Sequence, residues 1–585
     1  MVTFHLNGRQ VEAEAGTPVL LAAMAHGVFI PHLCYHPALT AVGRCRLCLA
    51  RVEVDGESRL TTTCNLPVRE GMQVTTVGPE IDAARESALE FILARHPLEC
   101  PTCERAGECE LQAYAAVHGR DRGCRGPGLA SAALAPAAAD LARQSLGPHV
   151  EYEPARCIGC GRCVRFEEEI AGTRRLATAG MGAAARPALV GSEPLAHPLS
   201  GNLPELCPAG ALVDPHATAD PPPWRLRGVD TVCPGCASAC PVRVDTLDGR
   251  IYRVAARRAH PPWLCDEGRF GWRESGGQDR LVEPQIRADG VLRPAPWDAA
   301  LDAAVSALQQ TGRAVWVSDG WETVEEGYLR GLLARHLGAA THCLRTRRAV
   351  AGELEFPGGF TVSADRSPNR RGLEELGRHQ KIQFLSPDVL WTSLESGRVR
   401  ALCWLGGDAN RDLGPRQVAA LANVERLVAV ERAPSALTGL AHVVLPGAGP
   451  YEGEGTVIGR DGMPRQLCAA IPPPGQARPV WQILLDLARA ARAPWCDALT
   501  DPAAVRRAVA AELASVSEEL RPSGLSRLGE DECQSRPGQS QPGQWGSDTS
   551  CGGGWTAYLQ RRGFLAIGQQ PRRADRDGGH YRHEC

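Results

Sequence analysis

The sequence predicts an α+β N-terminal part followed by an α/β domain built on a parallel sheet. Short strand, turn and helix patterns fill the first 78 residues, and after Trp297 helical and strand-like stretches alternate. A cysteine-dense zone runs from Cys34 onward: 15 of the chain's 23 cysteines fall in four groups ending at Cys265. With 585 residues the chain exceeds a single core and implies several domains.

Composition excludes some functions at once. A net charge of -3 leaves no electrostatic footprint for nucleic acid, and 5% aromatic residues leave little to stack on bases. The start, Met1-Val2-Thr3-Phe4-His5-Leu6-Asn7-Gly8, lacks a basic segment followed by an apolar run, so no secretory leader is expected. Many cysteines in a chain that is not exported point to metal rather than disulfides. No apolar run approaches the roughly eighteen residues a membrane span needs. The expected location is the cytoplasm, with membrane association only through partners.

In chain order, Val2–Leu6 and Val11–Glu14 alternate around Asn7-Gly8, a hairpin signal. Thr17-Pro18 opens a helix from Val19 to His26 that Gly27 ends. Strand-like Cys48–Val54 leads to a second turn at Asp55-Gly56. Hairpin, helix, cysteine loop and hairpin fit a β-grasp module over 1–78. Residues 79–96 read as a helix whose face carries Ile81, Ala84, Ala88, Phe91 and Ile92, closed by His96-Pro97. The segment 79–122 is one unit of organisation, the Gly/Ala/Pro-rich stretch 123–148 a connector, and 148–220 a compact cysteine segment. Pro221-Pro222-Pro223 is a stiff linker. A third hairpin, Val242–Asp245 with Ile251–Val254 around Asp248-Gly249, falls within a domain spanning 226–282.

Over 283–495 the pattern is helix 298–310, strand 314–318, helix 323–337, strand 401–405, helix 415–422 and strands 427–430 and 442–445. Strands separated by helices imply a parallel sheet covered on both faces. The tail, 521–585, is dominated by Gly, Ser, Gln, Pro and Arg without periodicity; it is expected to be disordered and is assigned no function.

Four constellations carry the chemistry. The first is Cys34-x10-Cys45-x2-Cys48-x15-Cys64, four thiolates as a [2Fe–2S] cluster requires. Gly43 would let backbone amides approach the cluster, where hydrogen bonds raise its potential. The second is His96-x3-Cys100-x2-Cys103-x5-Cys109, where an imidazole would replace one thiolate of a [4Fe–4S] cluster and ease its reduction. Alone, this set serves zinc equally well, and a histidine before proline is commonly only a helix end. The third is Cys157-x2-Cys160-x2-Cys163 with a remote Cys207-Pro208, a spacing that wraps one corner of a cubane. The fourth, Cys233-x2-Cys236-x3-Cys240-x24-Cys265, again offers four thiolates, with zinc as the competing reading. Cys124, Cys343, Cys403, Cys468, Cys496, Cys533, Cys551 and Cys585 have no partners at ligand spacing. Gly447-x-Gly449-Pro450-Tyr451-Glu452-Gly453 has the wrong glycine spacing for a dinucleotide loop, and no acid–base catalytic set is evident.

This order of constellations resembles the large iron–sulfur subunit of respiratory NADH:quinone oxidoreductase, complex I. The likeness covers roughly residues 1–470. Gly43–Cys48, His96–Cys103, Leu206–Leu212 and Cys265–Trp272 carry it most specifically. The first loop is also similar to plant-type ferredoxins, with a longer first spacing. The fourth constellation, Ala401–Asn410 and Ala441–Gly447 through Glu452–Thr456 look like the molybdopterin oxidoreductase superfamily.

The resemblance implies ferredoxin-like modules ahead of a molybdopterin-oxidoreductase-like α/β domain. It also implies one [2Fe–2S] and three [4Fe–4S] clusters and no molybdopterin. Single electrons would pass from a flavin/NADH-binding subunit, through this chain, to other iron–sulfur subunits of the peripheral arm and on towards quinone. The expected site is the cytoplasmic side of the inner membrane. Two other readings share parts of the pattern: the large subunit of a molybdenum formate dehydrogenase and the diaphorase subunit of an NAD-linked hydrogenase. The former needs a cysteine metal ligand beyond the fourth constellation, for which Thr341-His342-Cys343-Leu344-Arg345 is the candidate.

Overall fold

The computed structural model describes residues 1–118, 142–257, 262–275, 279–310, 314–339, 341–345, 352–406 and 413–514. The tail, Cys124, most of the 123–148 connector and positions 407–410 lie outside these residues. The chain divides into two units, residues 1–226 with 356–359, and residues 227–355 with 360–539.

The first unit opens with β1 (Val2–Leu6) and β2 (Arg9–Ala13), helix α1 (Val19–Ala25), and strands β3 (Leu49–Val54), β4 (Glu57–Thr62) and β5 (Gln73–Thr75). Their order in the sheet is β2-β1-β5-β3-β4. Asn7 and Gly8, and then Asp55 and Gly56, take positive φ, so both expected hairpins turn tightly. Phe4, Leu6, Val19, Leu20, Ala50, Val52 and Val74 form a core between helix and sheet, as the alternating strands require.

Helix α2 (Pro79–Leu93) follows, ending three residues earlier than the proline rule suggests. Its buried face is Ile81, Arg85 and Leu89, at a spacing of four. Phe91, placed on that face by sequence, is instead 65% exposed. Arg85 takes the inner position because its guanidinium donates to the Leu49 carbonyl. Helix α3 (Glu110–His118) packs on α2, with Leu33, Leu47, Leu89, Leu111 and Tyr114 as a second core. Beyond it the elements are short: β6 (Gln144–Gly147), β7 (Val150–Tyr152), α4 (Arg162–Arg165), β8 (Leu176–Ala179), β9 (Arg186–Leu189), α5 (Asn202–Leu206) and β10 (Leu212–Val213).

The second unit begins with an antiparallel sheet, β11 (Arg227–Val232), β12 (Pro241–Leu247) and β13 (Arg250–Ala256), followed by α6 (Asp266–Ser275). The Asp248-Gly249 hairpin is present, with β11 as an added third strand.

Next come β14 (Gln285–Ala288), β15 (Val291–Pro294), α7 (Trp297–Gln309), β16 (Val315–Ser318), α8 (Val324–His336), β17 (Thr341–Leu344), β18 (Leu354–Glu355) and β19 (Thr361–Val362). They are followed by α9 (Arg370–His379), β20 (Phe384–Leu385), α10 (Pro387–Glu395), β21 (Ala401–Leu405), α11 (Pro415–Leu421), β22 (Arg426–Glu431), α12 (Ala436–Leu440) and β23 (Val443–Pro446). The unit continues with β24 (Gly455–Ile458), β25 (Pro464–Leu467), α13 (Val480–Ala490) and α14 (Pro502–Ala514).

The large sheet has the order β15-β14-β23-β22-β21-β16-β17-β20, parallel from β23 to β20. Both of its faces are apolar, as a sheet between two helix layers demands. Trp316, Cys403, Leu405, Val428 and Val430 face α7, α8 and α13. Val315, Val317, Leu402, Trp404 and Leu427 face α10, α11 and α12.

Candidate metal centres

Each of the four constellations folds into a single cluster of donors. In the first, Cys34 lies in the loop after α1, Cys45 and Cys48 just ahead of β3, and Cys64 just after β4. Cys34, Cys48 and Cys64 are at most 1% exposed. Amides turn in on the sulfurs: Leu33 N donates to Cys45 Sγ at 3.4 Å and Cys45 N to Cys34 Sγ at 3.5 Å. Gly43 and Arg46 take positive φ, which curls this loop. A hydrogen bond from Cys45 lowers the Cys34 thiol to about 6, and one from Cys64 lowers Cys48 to about 7.

In the second, α2 ends at Leu93, Cys100 opens a short 3₁₀ turn, and Cys109 immediately precedes α3. His96, Cys100, Cys103 and Cys109 all line one cavity with Gln112 and Arg156. His96 Nδ1 is buried with no hydrogen-bond partner. Burial, with the Arg156 guanidinium adding to it, holds the imidazole down at about 4, so it is neutral and able to ligate. A helix-end histidine would have no need of a dry, cysteine-lined cavity. Burial also lifts the Cys109 thiol to about 12.

In the third, Gly159 and Gly161 take positive φ between the cysteines and bend the chain around the three sulfurs. A Cβ on Gly161 would stand 2.8 Å from Arg44 Nη1. Cys207, after α5, brings in the fourth sulfur, which accepts from Ala211 N at 3.2 Å. Burial raises Cys160 to about 12 and Cys163 further, and the negative fields of Cys157, Cys160 and Cys207 all reach Cys163.

In the fourth, β11 delivers Cys233, whose amide donates to the Cys240 carbonyl at 2.8 Å. Cys265 stands at the start of α6. A Cβ on Gly268 would lie 3.0 Å from Cys233 Sγ and 3.4 Å from Cys265 Sγ, so this glycine leaves the sulfurs room. Burial raises Cys240 and Cys265 to about 12. Metal ligation needs the thiolate, so loading thiols held this high would release protons.

Among the described residues, no three histidine, cysteine or carboxylate groups close around a single ion. The donors of the second set line a cavity instead. Each set brings together the residues that the sequence grouped in it.

Sequence reasoning missed the arginines between the sets. Arg105 donates to the Cys207 carbonyl at 3.3 Å, and Arg165 donates to the Cys34 carbonyl at 2.6 Å. Arg156 pairs with Glu104 at 2.5 Å. Positive residues inside cysteine motifs were the only available signal, and their partners are far away in sequence.

The Thr341–Arg345 candidate is not a metal site. Cys343 is fully buried in the sheet core on β17, and His342 accepts from Arg330 at 2.6 Å. The second unit does hold a cavity beside Cys233, lined by Trp321, Glu322, Glu326, Arg432, Tyr451 and Glu454 among others.

Family models match these same segments. Residues 1–79 match a 2Fe-2S iron-sulfur cluster binding domain, and 85–123 match the NADH-ubiquinone oxidoreductase-G iron-sulfur binding region. Residues 147–213 match the ferredoxin-like domain of NADH-quinone oxidoreductase subunit 3. The molybdopterin oxidoreductase Fe4S4 domain matches 226–275, and molybdopterin oxidoreductase matches 383–490. An NADH-quinone oxidoreductase subunit of Streptomyces coelicolor is 33% identical over 68% of this chain and 47% of its own length.

The chain is a homologue of the complex I iron–sulfur subunits.

A Reclinomonas americana NADH-ubiquinone oxidoreductase 75 kDa subunit is 32% identical over 58% of this chain and 48% of its own. The chain thus spans about half the length of these relatives. An NADPH-Fe(3+) oxidoreductase subunit alpha of Geobacter sulfurreducens is 33% identical over 53% of this chain and 35% of its own. A chain of an NAD+-reducing [NiFe]-hydrogenase, 32% identical, aligns over 38% of this chain and 91% of its own with a TM-score of 0.31. No helix among the described residues is long and apolar enough to cross a membrane.

Proposed function

We propose that this chain is an electron-transfer subunit of an NADH:quinone oxidoreductase. It relays single electrons from a flavin/NADH-binding partner towards the quinone-side iron–sulfur subunits. Cys34, Cys45, Cys48 and Cys64 hold a [2Fe–2S] cluster. His96, Cys100, Cys103 and Cys109 hold one [4Fe–4S] cluster, Cys157, Cys160, Cys163 and Cys207 a second, and Cys233, Cys236, Cys240 and Cys265 a third. When bound, the clusters supply the redox chemistry. The chain supplies ligands, dry surroundings and the amides and charges that set potentials. The reading places the chain at the cytoplasmic face of the inner membrane, attached through partners.

The observation that carries this reading is the second centre. A neutral histidine with one unpartnered, buried ring nitrogen lines a cavity with three cysteines, inside the segment that matches the NADH-ubiquinone oxidoreductase-G model. The boundaries 1–78, 79–122, 148–220, 226–282 and 283–495 are the domains in which these roles reside.

A molybdopterin is not part of the proposal. Among the described residues, the charged groups around the cavity beside Cys233 are Glu322, Glu326 and Glu454 against Arg432, a poor lining for a phosphate-bearing pterin.

The test is iron, sulfide, zinc and molybdenum content of the anaerobically purified full chain, with low-temperature EPR after reduction. One binuclear and three tetranuclear signals are expected. Zinc in these sites, or no reducible iron, would overturn the proposal; stoichiometric molybdenum would favour the formate dehydrogenase reading.

A further inference from the structure

One buried side chain reaches the neighbourhood of all three donor sets in the first unit. Arg162 lies between Cys160 and Cys163 and is 3% exposed. Its two terminal nitrogens donate to the two oxygens of Glu110, both at 2.9 Å, in the bidentate geometry that suits a guanidinium and a carboxylate. Nη2 also donates to the Tyr35 carbonyl at 2.7 Å and Nη1 to the Leu206 carbonyl at 3.3 Å. Every one of these acceptors adjoins a candidate ligand. Glu110 follows Cys109, Tyr35 follows Cys34, and Leu206 precedes Cys207.

A buried ion pair is a weak device for stability, because desolvation consumes most of its Coulombic gain. Its place among three donor sets calls for another reason. The pair is also asymmetric: the Arg162 side chain is 4% exposed and that of Glu110 23%. Water screens the carboxylate more than the guanidinium, which leaves a net positive field on the Cys160 side. A guanidinium keeps its proton at any accessible pH, and its two hydrogen bonds to Glu110 compensate its burial. A fixed positive charge stabilises the reduced, more negative state of a nearby cluster.

We propose that Arg162, with Glu110 as its counter-charge, is a positioning and tuning residue. It locks the three donor loops together and raises the reduction potential of the centre formed by Cys157, Cys160, Cys163 and Cys207. This inference rests on the proposed function, since it requires clusters in these sites.

The test is an EPR-monitored redox titration of the full chain, loaded anaerobically, as wild type and as R162Q, R162K, E110Q and the R162Q/E110Q pair. R162Q lowers the midpoint of the third centre and E110Q raises it, each by at least tenfold in the one-electron equilibrium, about 59 mV. The double variant returns towards wild type, and R162K stays closer to wild type than R162Q because it keeps the charge. R174Q, which removes a charge whose side chain is 76% exposed, serves as the control and leaves the potential unchanged.

A merely structural tie would move both single variants in the same direction or leave potentials untouched, and either result overturns the inference. Should R162Q fail to load, E110Q decides alone: a raised potential supports the inference and an unmoved one overturns it. Wild-type protein without reducible centres would overturn the proposed function together with this inference. Normal wild-type signals with unshifted variants would overturn the inference alone.

Discussion

A histidine in front of a proline ends many helices, and nothing in His96 by itself separates that role from metal ligation. The separation comes from its surroundings: three cysteines on the same cavity and a ring nitrogen buried without a partner. Replacing the neutral imidazole by an anionic thiolate in H96C should lower the potential of that centre. Two histidines distinguish Rieske from plant-type centres by a few hundred millivolts, so one exchange is expected to shift it on the order of 100 mV. EPR redox titration checks this, and an unchanged potential would remove His96 from the ligand set.

His342 shows the opposite fate of a similar residue. It neighbours Cys343, the cysteine weighed as a metal ligand, yet it is a core acceptor. Burial first, then Arg330 and Arg335, push its pKa down to about 3. The folded value is depressed below the unfolded one near 6.5, so its neutral form is the stable one. Its contribution to stability is complete above pH 6.5 and is lost progressively as pH falls towards 3. H342Q keeps an acceptor for Arg330 without titrating. Its urea midpoint should fall less than wild type between pH 7.5 and 5.5, as followed by tryptophan fluorescence; equal slopes would refute the account.

At the scale of elements, the sequence was most readable where local chemistry decides. Asn7-Gly8, Asp55-Gly56 and Asp248-Gly249 turn as expected, because positive φ at both central residues suits few other pairs. Helix α8 starts where its capping box places it: Thr323 Oγ1 accepts from Glu326 N at 3.2 Å, and Glu326 Oε2 from Thr323 N at 2.8 Å. T323A is therefore expected to cost about 1 kcal/mol of second-unit stability, read as a lower denaturation midpoint. G455A should cost more, because its Cβ would meet the Thr323 side chain at 2.6 Å from a backbone at φ +153°.

What was not readable were elements that only tertiary contacts define. Strand β17 is four residues carrying a histidine, tolerated in the sheet because Arg330 satisfies it. Strand β20 is two residues long, too short for any periodicity. The face of α2 was misjudged because periodicity cannot foresee that Arg85 finds a buried carbonyl while Phe91 faces out.

At the scale of the whole molecule, the donor sets were legible because metal ligation fixes residue types at short, rigid spacings. The ties between sets were not, since Arg162 and Glu110 are 52 positions apart and ordinary surface charges look the same in sequence. Core distribution carries a last consequence. The second unit buries two apolar layers against its long sheet. From residue 144 to 213, by contrast, the strands are two to four residues long, and the longest helical run is α4 with the π-helical turn Phe166–Ile170 that continues it. Phe166, Leu195, Leu199 and Leu203 are fully buried there, but elements that short build no continuous helix or sheet layer, so the sulfur–metal bonds are expected to supply part of that region's order. Removing iron with a chelator under reducing conditions should therefore lower amide protection across 144–213 while the strands 315–318, 401–405, 426–431 and 443–446 stay protected. Hydrogen exchange read by mass spectrometry measures both at once. Equal protection of 144–213 in the loaded and the stripped chain would mean that its packing, and not its metal, holds it.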